Sequence, residues 1–193
     1  MENNHIYQLL AQPRLYNYSS YLELLPGVDQ KEANTLELFS FGDIEHYLKY
    51  TDQYLSLDNV LIRKLISLSI LSIVSRNVGN EIPLKSILTE LHYVPSIEDL
   101  EDLLIQMIDM ECFHATIDQK KGTVYVQQML VLRDAFNLET HALLRVLTEE
   151  DIEHRSVAWA RRVLQSWMDA KISPAKEQLL LEPPAPEDKL VIE

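Results

Sequence analysis

The chain has 193 residues, 47% hydrophobic and 24% charged, with only four glycines. That is globular composition for one domain with extensions or two small domains, and it excludes a fibre or a disordered chain. Thirty acidic against 17 basic residues give a formal charge of −13, which repels nucleic acid and anionic membranes unless a local basic patch overrides it.

No such patch stands out. Arg63-Lys64, Lys120-Lys121 and Arg161-Arg162 are isolated pairs. The single cysteine, Cys112, cannot form an internal disulfide or a cysteine-built zinc site, and it fits a reducing compartment. The first five residues carry no basic and apolar signal pattern. The most apolar run, Leu65 to Val74, is broken by three serines and falls well short of the roughly 20 residues a membrane span needs. The expectation is a soluble intracellular protein.

Residues 1–57 read as interrupted helix, punctuated by Pro13, Pro26 and Gly27, after an ambiguous aromatic opening with Tyr16, Tyr18 and Tyr21. A short helix is expected over Gln30 to Phe41. Gly42 ends it and Asp43 caps the next turn. Asp58 is the N-cap of a strong helix from Val60 to Val78, whose apolar residues cover most of its circumference and predict burial on most sides. Gly79-Asn80 stops it, and Pro83 sits in the first turn of a helix running to Leu91. After Pro95, Ser96 opens a third helix with Asp99 at capping-box spacing. Its apolar stripe is Ile97, Leu100, Leu103, Leu104, Met107 and Ile108.

The period then changes from helix to strand. Phe113 to Ile117 and Thr123 to Gln127 alternate around a loop ending in Gly122, the pattern of a β-hairpin. Three helices followed by a hairpin are the element order of a winged helix. Leu138 to Leu147 is expected to be helical, and Thr148 to cap a final helix from Glu149 to about Ala170. The proline-rich, acidic stretch from Ile172 is expected to be a flexible tail.

The third helix, Ser96 to Glu111, holds Glu98, Asp99, Glu101, Asp102, Asp109 and Glu111 and no lysine or arginine. Phosphate contact needs Lys or Arg, and base readout uses Arg, Asn or Gln, so Gln106 alone cannot make this a DNA reader. The histidines form neither His-x-His nor His-Glu-x-x-His, and no P-loop, Gly-x-Ser-x-Gly or Gly-x-Gly-x-x-Gly is present. Cys112 reads as a buried structural residue. No cofactor, metal or small-molecule substrate is expected, and no enzyme activity.

Leu36 to Ile44, Leu-Glu-Leu-Phe-Ser-Phe-Gly-Asp-Ile, with Tyr47 after it, resembles a stretch of the subunit 7 family of the COP9 signalosome. Tyr16-Asn-Tyr18-Ser-Ser-Tyr21 is similar to the opening of the budding-yeast form, subunit 9. Lys64 to Leu68, Ile97 to Ile105 and Phe113 to Gln119 resemble a helix, a second helix and a wing strand of the same family. The resemblance covers roughly residues 16–127.

The resemblance implies a mainly α PCI domain, in which helical repeats (1–57) pack onto a winged helix (58–127); the residues beyond it read as C-terminal helices (128–171) and the tail (172–193). It implies a non-catalytic scaffold subunit, in cytoplasm and nucleus, of a complex that removes Nedd8 from cullins of SCF-type ubiquitin ligases. The zinc protease of that complex would be another subunit. PCI domains also occur in the proteasome lid and in translation initiation factor 3, and these alternatives stay open beside a winged-helix regulator that binds nucleic acid.

Two partner-binding surfaces follow. A two-stranded hairpin leaves unpaired backbone groups, and Phe113, Ala115, Ile117, Val124 and Val126 would meet a neighbouring signalosome subunit there. Ile152, Trp159, Val163 and Trp167 fall within one arc of the final helix, which would dock on partner helices. Both tryptophans of the chain are in that arc.

Overall fold

A computed structural model describes residues 4–24, 29–141, 144–173 and 176. It falls into two compact units that divide between Ser156 and Val157. The first opens with helices α1 (Asn4–Leu10), α2 (Ser19–Leu24), α3 (Gln30–Phe41) and α4 (Ile44–Lys49). Helix α5 (Asn59–Ser75) follows, then strand β1 (Glu81–Pro83), helices α6 (Leu84–Leu91) and α7 (Ile97–Asp109), and strands β2 (Phe113–Asp118) and β3 (Thr123–Met129). The second unit holds α8 (Val157–Trp167), which continues as a π-helical turn, Met168–Ile172. The described residues are mainly α with one small sheet. No helix among the described residues is long and apolar enough to cross a membrane.

Several boundaries follow from local chemistry. Asp29 caps α3 in a reciprocal box with Glu32, Asp43 accepts the amides of Glu45 and His46 at the start of α4, and Asp58 accepts those of Val60 and Leu61 at the start of α5. Ser96 accepts the Asp99 amide at the start of α7. Gly42 ends α3 because a side chain has no room there: a Cβ would lie 2.6 Å from Leu38 Cδ1 and 2.9 Å from the Leu38 carbonyl.

Helix α5 is buried on most sides, and its serines serve the packing. Ser69 Oγ donates to the Leu65 carbonyl at 2.9 Å and accepts the Ile44 amide at 3.1 Å. One continuous core joins α1, α3, α5, α6, α7 and the inner face of the sheet. Cys112 is buried in that core, its sulfur 3.1 Å from the Tyr16 hydroxyl. Lys64 lies over the Tyr16 ring and donates to the Pro13 carbonyl at 2.8 Å, and burial pushes its ammonium down to about 8.

Three expectations need correction. Glu81–Pro83 is a strand that pairs antiparallel with β3, so the sheet has three strands in the order β1-β3-β2. Pro83 therefore ends a strand and caps α6 from outside the helix. Second, the helix expected over 138–147 is missing among the described residues. Asn137 closes a single turn, accepting the amides of Thr140 and His141 at 3.1 and 2.9 Å, and the amides of Arg145, Val146 and Leu147 are taken by the Glu37 carboxylate.

Third, the final helix begins eight residues later than expected, at Val157. Thr148 and Asp151 do exchange capping hydrogen bonds, at 3.0 and 3.3 Å. They close one turn, followed by a 3-10 turn at Glu153–Arg155, and Ser156 then extends into a bridge with Phe136. The tail expected from Ile172 lies outside the described residues except for 172, 173 and 176.

The stretch from Leu130 to Ser156 binds back onto the N-terminal helices through polar contacts. Arg133 donates to the carbonyls of Phe39 (2.9 Å), Gly42 (2.8 Å) and Leu68 (3.2 Å) and to Ser72 Oγ (2.9 Å). Burial, with Arg155 nearby, pushes its guanidinium well below the ordinary arginine value against the pull of Asp43 and Asp134. Arg155 donates to the carbonyls of Phe41 and Gly42 and to Asp43 Oδ2 at 2.7 Å. Burial raises the Asp43 carboxyl, but the contacts with His46 and Arg155 outweigh it and hold the group well below its usual range. Asp134 accepts the amide and hydroxyl of Ser19, and Asp151 accepts from Lys49 and Tyr50.

Arg133→Met keeps the side-chain length and removes every one of these donors. It should lower unfolding free energy by about 3 kcal/mol, because buried carbonyls lose their partners. The urea midpoint measures this, and a change of under about 0.5 kcal/mol would contradict the assignment.

Candidate assembly surface

The residues expected at a partner surface separate into four environments. Phe113, Val124 and Val126 are fully buried in the chain's own core. Ile152 is 1% exposed and packs with Phe41, Phe136 and Leu147 in a second cluster of the first unit, so it does not share a helix face with the tryptophans. Its position follows from the early end of the Thr148 turn. Ala115 and Ile117 are half-buried on β2, and Trp159 is half-buried on α8. Val163 (45%) and Trp167 (54%) are exposed, with Leu164 (61%) and Met168 beside them.

β1 changes the meaning of the hairpin. β3 is central, and β2 and β1 are the edges. Val124 thus lies opposite both Ile82 and Ile117, in the middle of the sheet. β1 is three residues long and ends in proline, which has no N–H to offer, so it is a blunted edge. β2 is six residues long and pairs only with β3 among the described residues.

The register sets the backbone direction on β2. The Leu84 amide donates to the Gly122 carbonyl just beyond the Pro83–Thr123 pair. In an antiparallel ladder that makes Thr123 and Tyr125 the residues whose N–H groups face β2. Their partners Asp118 and Thr116 face back, so the N–H groups of Ala115 and Ile117 point to the free side.

Helix α7 stands beside that edge. Between them runs an open groove of about 720 Å³, lined by Glu101, Ile105 and Ile108 from the helix and by Ala115, Ile117 and Asp118 from the strand. Ile105 is 45% exposed. It stands off the buried stripe of Leu100, Leu104 and Met107, and sequence reasoning passed over it. An isoleucine off the stripe, among acidic neighbours, is the signal that was there to read. Among the described residues no group of three His, Cys, Asp or Glu is placed to hold a metal ion.

These elements fall inside a family match. The PCI domain family matches residues 45–128, from within α4 to the end of β3. That stretch is similar to a PCI domain. It is also similar to COP9 signalosome complex subunit 7 of Drosophila melanogaster, with 30% identity over 112 residues. The matched stretch covers 58% of this chain and 37% of the Drosophila protein, little more than a third of that relative's length. The polar contacts of residues 130–156 lie beyond the PCI match, although they bind back to α3 just ahead of it.

A sheet edge that meets a partner has to offer its outward donors. Ile117→Pro removes one of them without touching the bonds to β3, whereas Val124→Pro would break the central strand. If this edge meets another protein, Ile117→Pro should leave the helical circular dichroism unchanged and reduce the recovery of that protein with the tagged chain by about tenfold. Unchanged recovery with folded protein would count against the edge.

Proposed function

We propose that this chain is a non-catalytic scaffold subunit of the COP9 signalosome, acting in cytoplasm and nucleus within the assembly that removes Nedd8 from cullins of SCF-type ubiquitin ligases. The single observation that carries the reading is the likeness to signalosome subunit 7 across the PCI region. The order α5-β1-α6-α7-β2-β3 supports reading residues 58 to about 129 as a winged helix, with α1 to α4 as the helical part ahead of it. The acidic α7 supports a protein partner over a nucleic acid, since no lysine or arginine on it can meet a phosphate. The absence of metal-ligand spacing in the sequence supports a subunit that does no hydrolysis itself.

In this reading α8 is the second attachment point. Its exposed Val163, Leu164, Trp167 and Met168 form an apolar face of the kind that packs against partner helices, and tryptophan is enriched where binding energy concentrates. Affinity purification of the tagged full-length chain from its source cells, followed by mass spectrometry, should recover other signalosome subunits and cullins. Recovery of proteasome-lid or initiation-factor subunits instead would overturn the assignment. Trp159→Ala with Trp167→Ala should abolish that recovery while shifting the melting temperature of the isolated protein by less than about 2 °C. A markedly lower melting temperature would mean that the helix serves the chain's own fold.

A further inference from the structure

We propose that Lys64 on α5 is a reactive amine, a modification site that takes an acyl group from an acyl thioester, and that acylation there releases the segment from Pro13 to Tyr16 from α5. The proposal is independent of the reading of the chain as a signalosome subunit.

The amine is held by a carbonyl and a ring. Lys64 Nζ donates to the Pro13 carbonyl at 2.8 Å and lies 4.2 Å from the centroid of the Tyr16 ring. The Tyr16 hydroxyl lies 3.1 Å from the Cys112 sulfur, inside the core. Burial, with the Cys112 contact, holds the Tyr16 phenol above its ordinary value, so the ring stays neutral and offers an aromatic face and no counter-charge. No carboxylate lies within ion-pair distance of Lys64 among the described residues.

A lysine so placed loses its proton readily. Burial lowers the amine to about 8; Cys112 pulls the other way, and the Arg133 guanidinium adds to the effect of burial. Desolvation and a neighbouring cation are two of the ways a lysine becomes a nucleophile near neutral pH. At about pH 7.5 roughly a quarter of such amines are unprotonated, against about one in a thousand at the ordinary lysine value. Lys49 is the opposite case in the same chain. It is exposed, and its ammonium is held above the ordinary value by the bond to Asp151 and by Tyr50.

The amine also keeps a route to solvent. Lys64 is half-buried, and an open cleft of about 460 Å³ lies against the loop it holds, lined by Gln12, Pro13, Arg14 and Leu15. In the reaction the nitrogen lone pair adds to the thioester carbonyl and the carbon–sulfur bond breaks. The thiolate leaves and takes up the proton that the nitrogen gives up. The products are an amide and a free thiol, and nothing is oxidised or reduced. The amide carries no charge, so the attraction to the Tyr16 ring is lost, and the acyl group adds bulk where the ring and the Pro13 carbonyl close on the nitrogen.

The test exposes the folded full-length chain to a limiting dose of the acetyl thioester of N-acetylcysteamine and maps acetylation by mass spectrometry. At about pH 7.5 Lys64 should react at least about tenfold faster than the exposed Lys31, Lys49 and Lys85, the reverse of the order that exposure alone would give. Its rate should level off above about pH 9, while those of the other three go on rising to about pH 10. Hydrogen exchange then reads the consequence. In the acetylated chain the amides of Ala11 and Leu15, which bond within the segment that Lys64 holds, should exchange about fivefold faster. Lys64→Arg, treated alike, keeps the cation and should show no such change. Labelling of Lys64 no faster than that of Lys85, a Lys64 rate still climbing at about pH 10, or unchanged exchange in the acetylated chain would each overturn the proposal.

Discussion

Two guanidinium groups meet at the C-terminal end of α3. Arg133 and Arg155 both donate to the Gly42 carbonyl, and between them they also take the carbonyls of Phe39 and Phe41. The last carbonyls of any helix lack partners within it and carry partial negative charge, so two buried cations there answer two needs at once. Burying a guanidinium is costly, and the cost is met by the number of acceptors each fork reaches, with Asp43 as the one formal counter-charge at hydrogen-bond distance among the described residues. Gly42 is part of the same arrangement, since a side chain there would press on Leu38 beside the carbonyls the arginines need.

Much of the first unit's connectivity follows from that junction. Arg133 also reaches Leu68 and Ser72 on α5, so α3 and α5 are joined through one side chain from a segment some sixty to ninety residues further along the chain. Glu37 repeats the logic with opposite charge, accepting three successive amides, those of Arg145, Val146 and Leu147. Asp134 does so at the start of α2. Residues 130–156 therefore hold the N-terminal helices against the helix-and-sheet part while having almost no regular structure of their own. Within the first unit that leaves the β2 edge and the α7 flank facing outward.

How much of this the sequence discloses depends on the range of the interaction. The bounds of α3 and the caps at Asp43, Asp58 and Ser96 are local, and residues three or four apart decide them. The hairpin was legible from alternation and Gly122. β1 was not, because three residues are too short for periodicity and Pro83 suits a helix start equally well by sequence. The turn at Thr148 reads as a helix start, and it is one for a single turn; what stops it is Arg155 reaching α3, a contact more than a hundred positions apart. The arginine junction itself was invisible because its acceptors are main-chain carbonyls, which every residue has. At the candidate surface, Trp167 and Val163 were legible as an exposed stripe, while Phe113, Val124 and Val126 were read as available because the third strand and the helices covering them were not in view.

Native-state hydrogen exchange tests this account most directly. If residues 130–156 hold the N-terminal helices in place, the amides of Ser19, Arg145, Val146 and Leu147 exchange as one cooperative unit with those of α3, at an opening free energy close to that of α5. Arg133→Met should then lower the protection of α3 and of residues 145–147 together, even though neither set of amides bonds to Arg133. Rapid exchange across 130–156 with α3 fully protected in the native chain would contradict it.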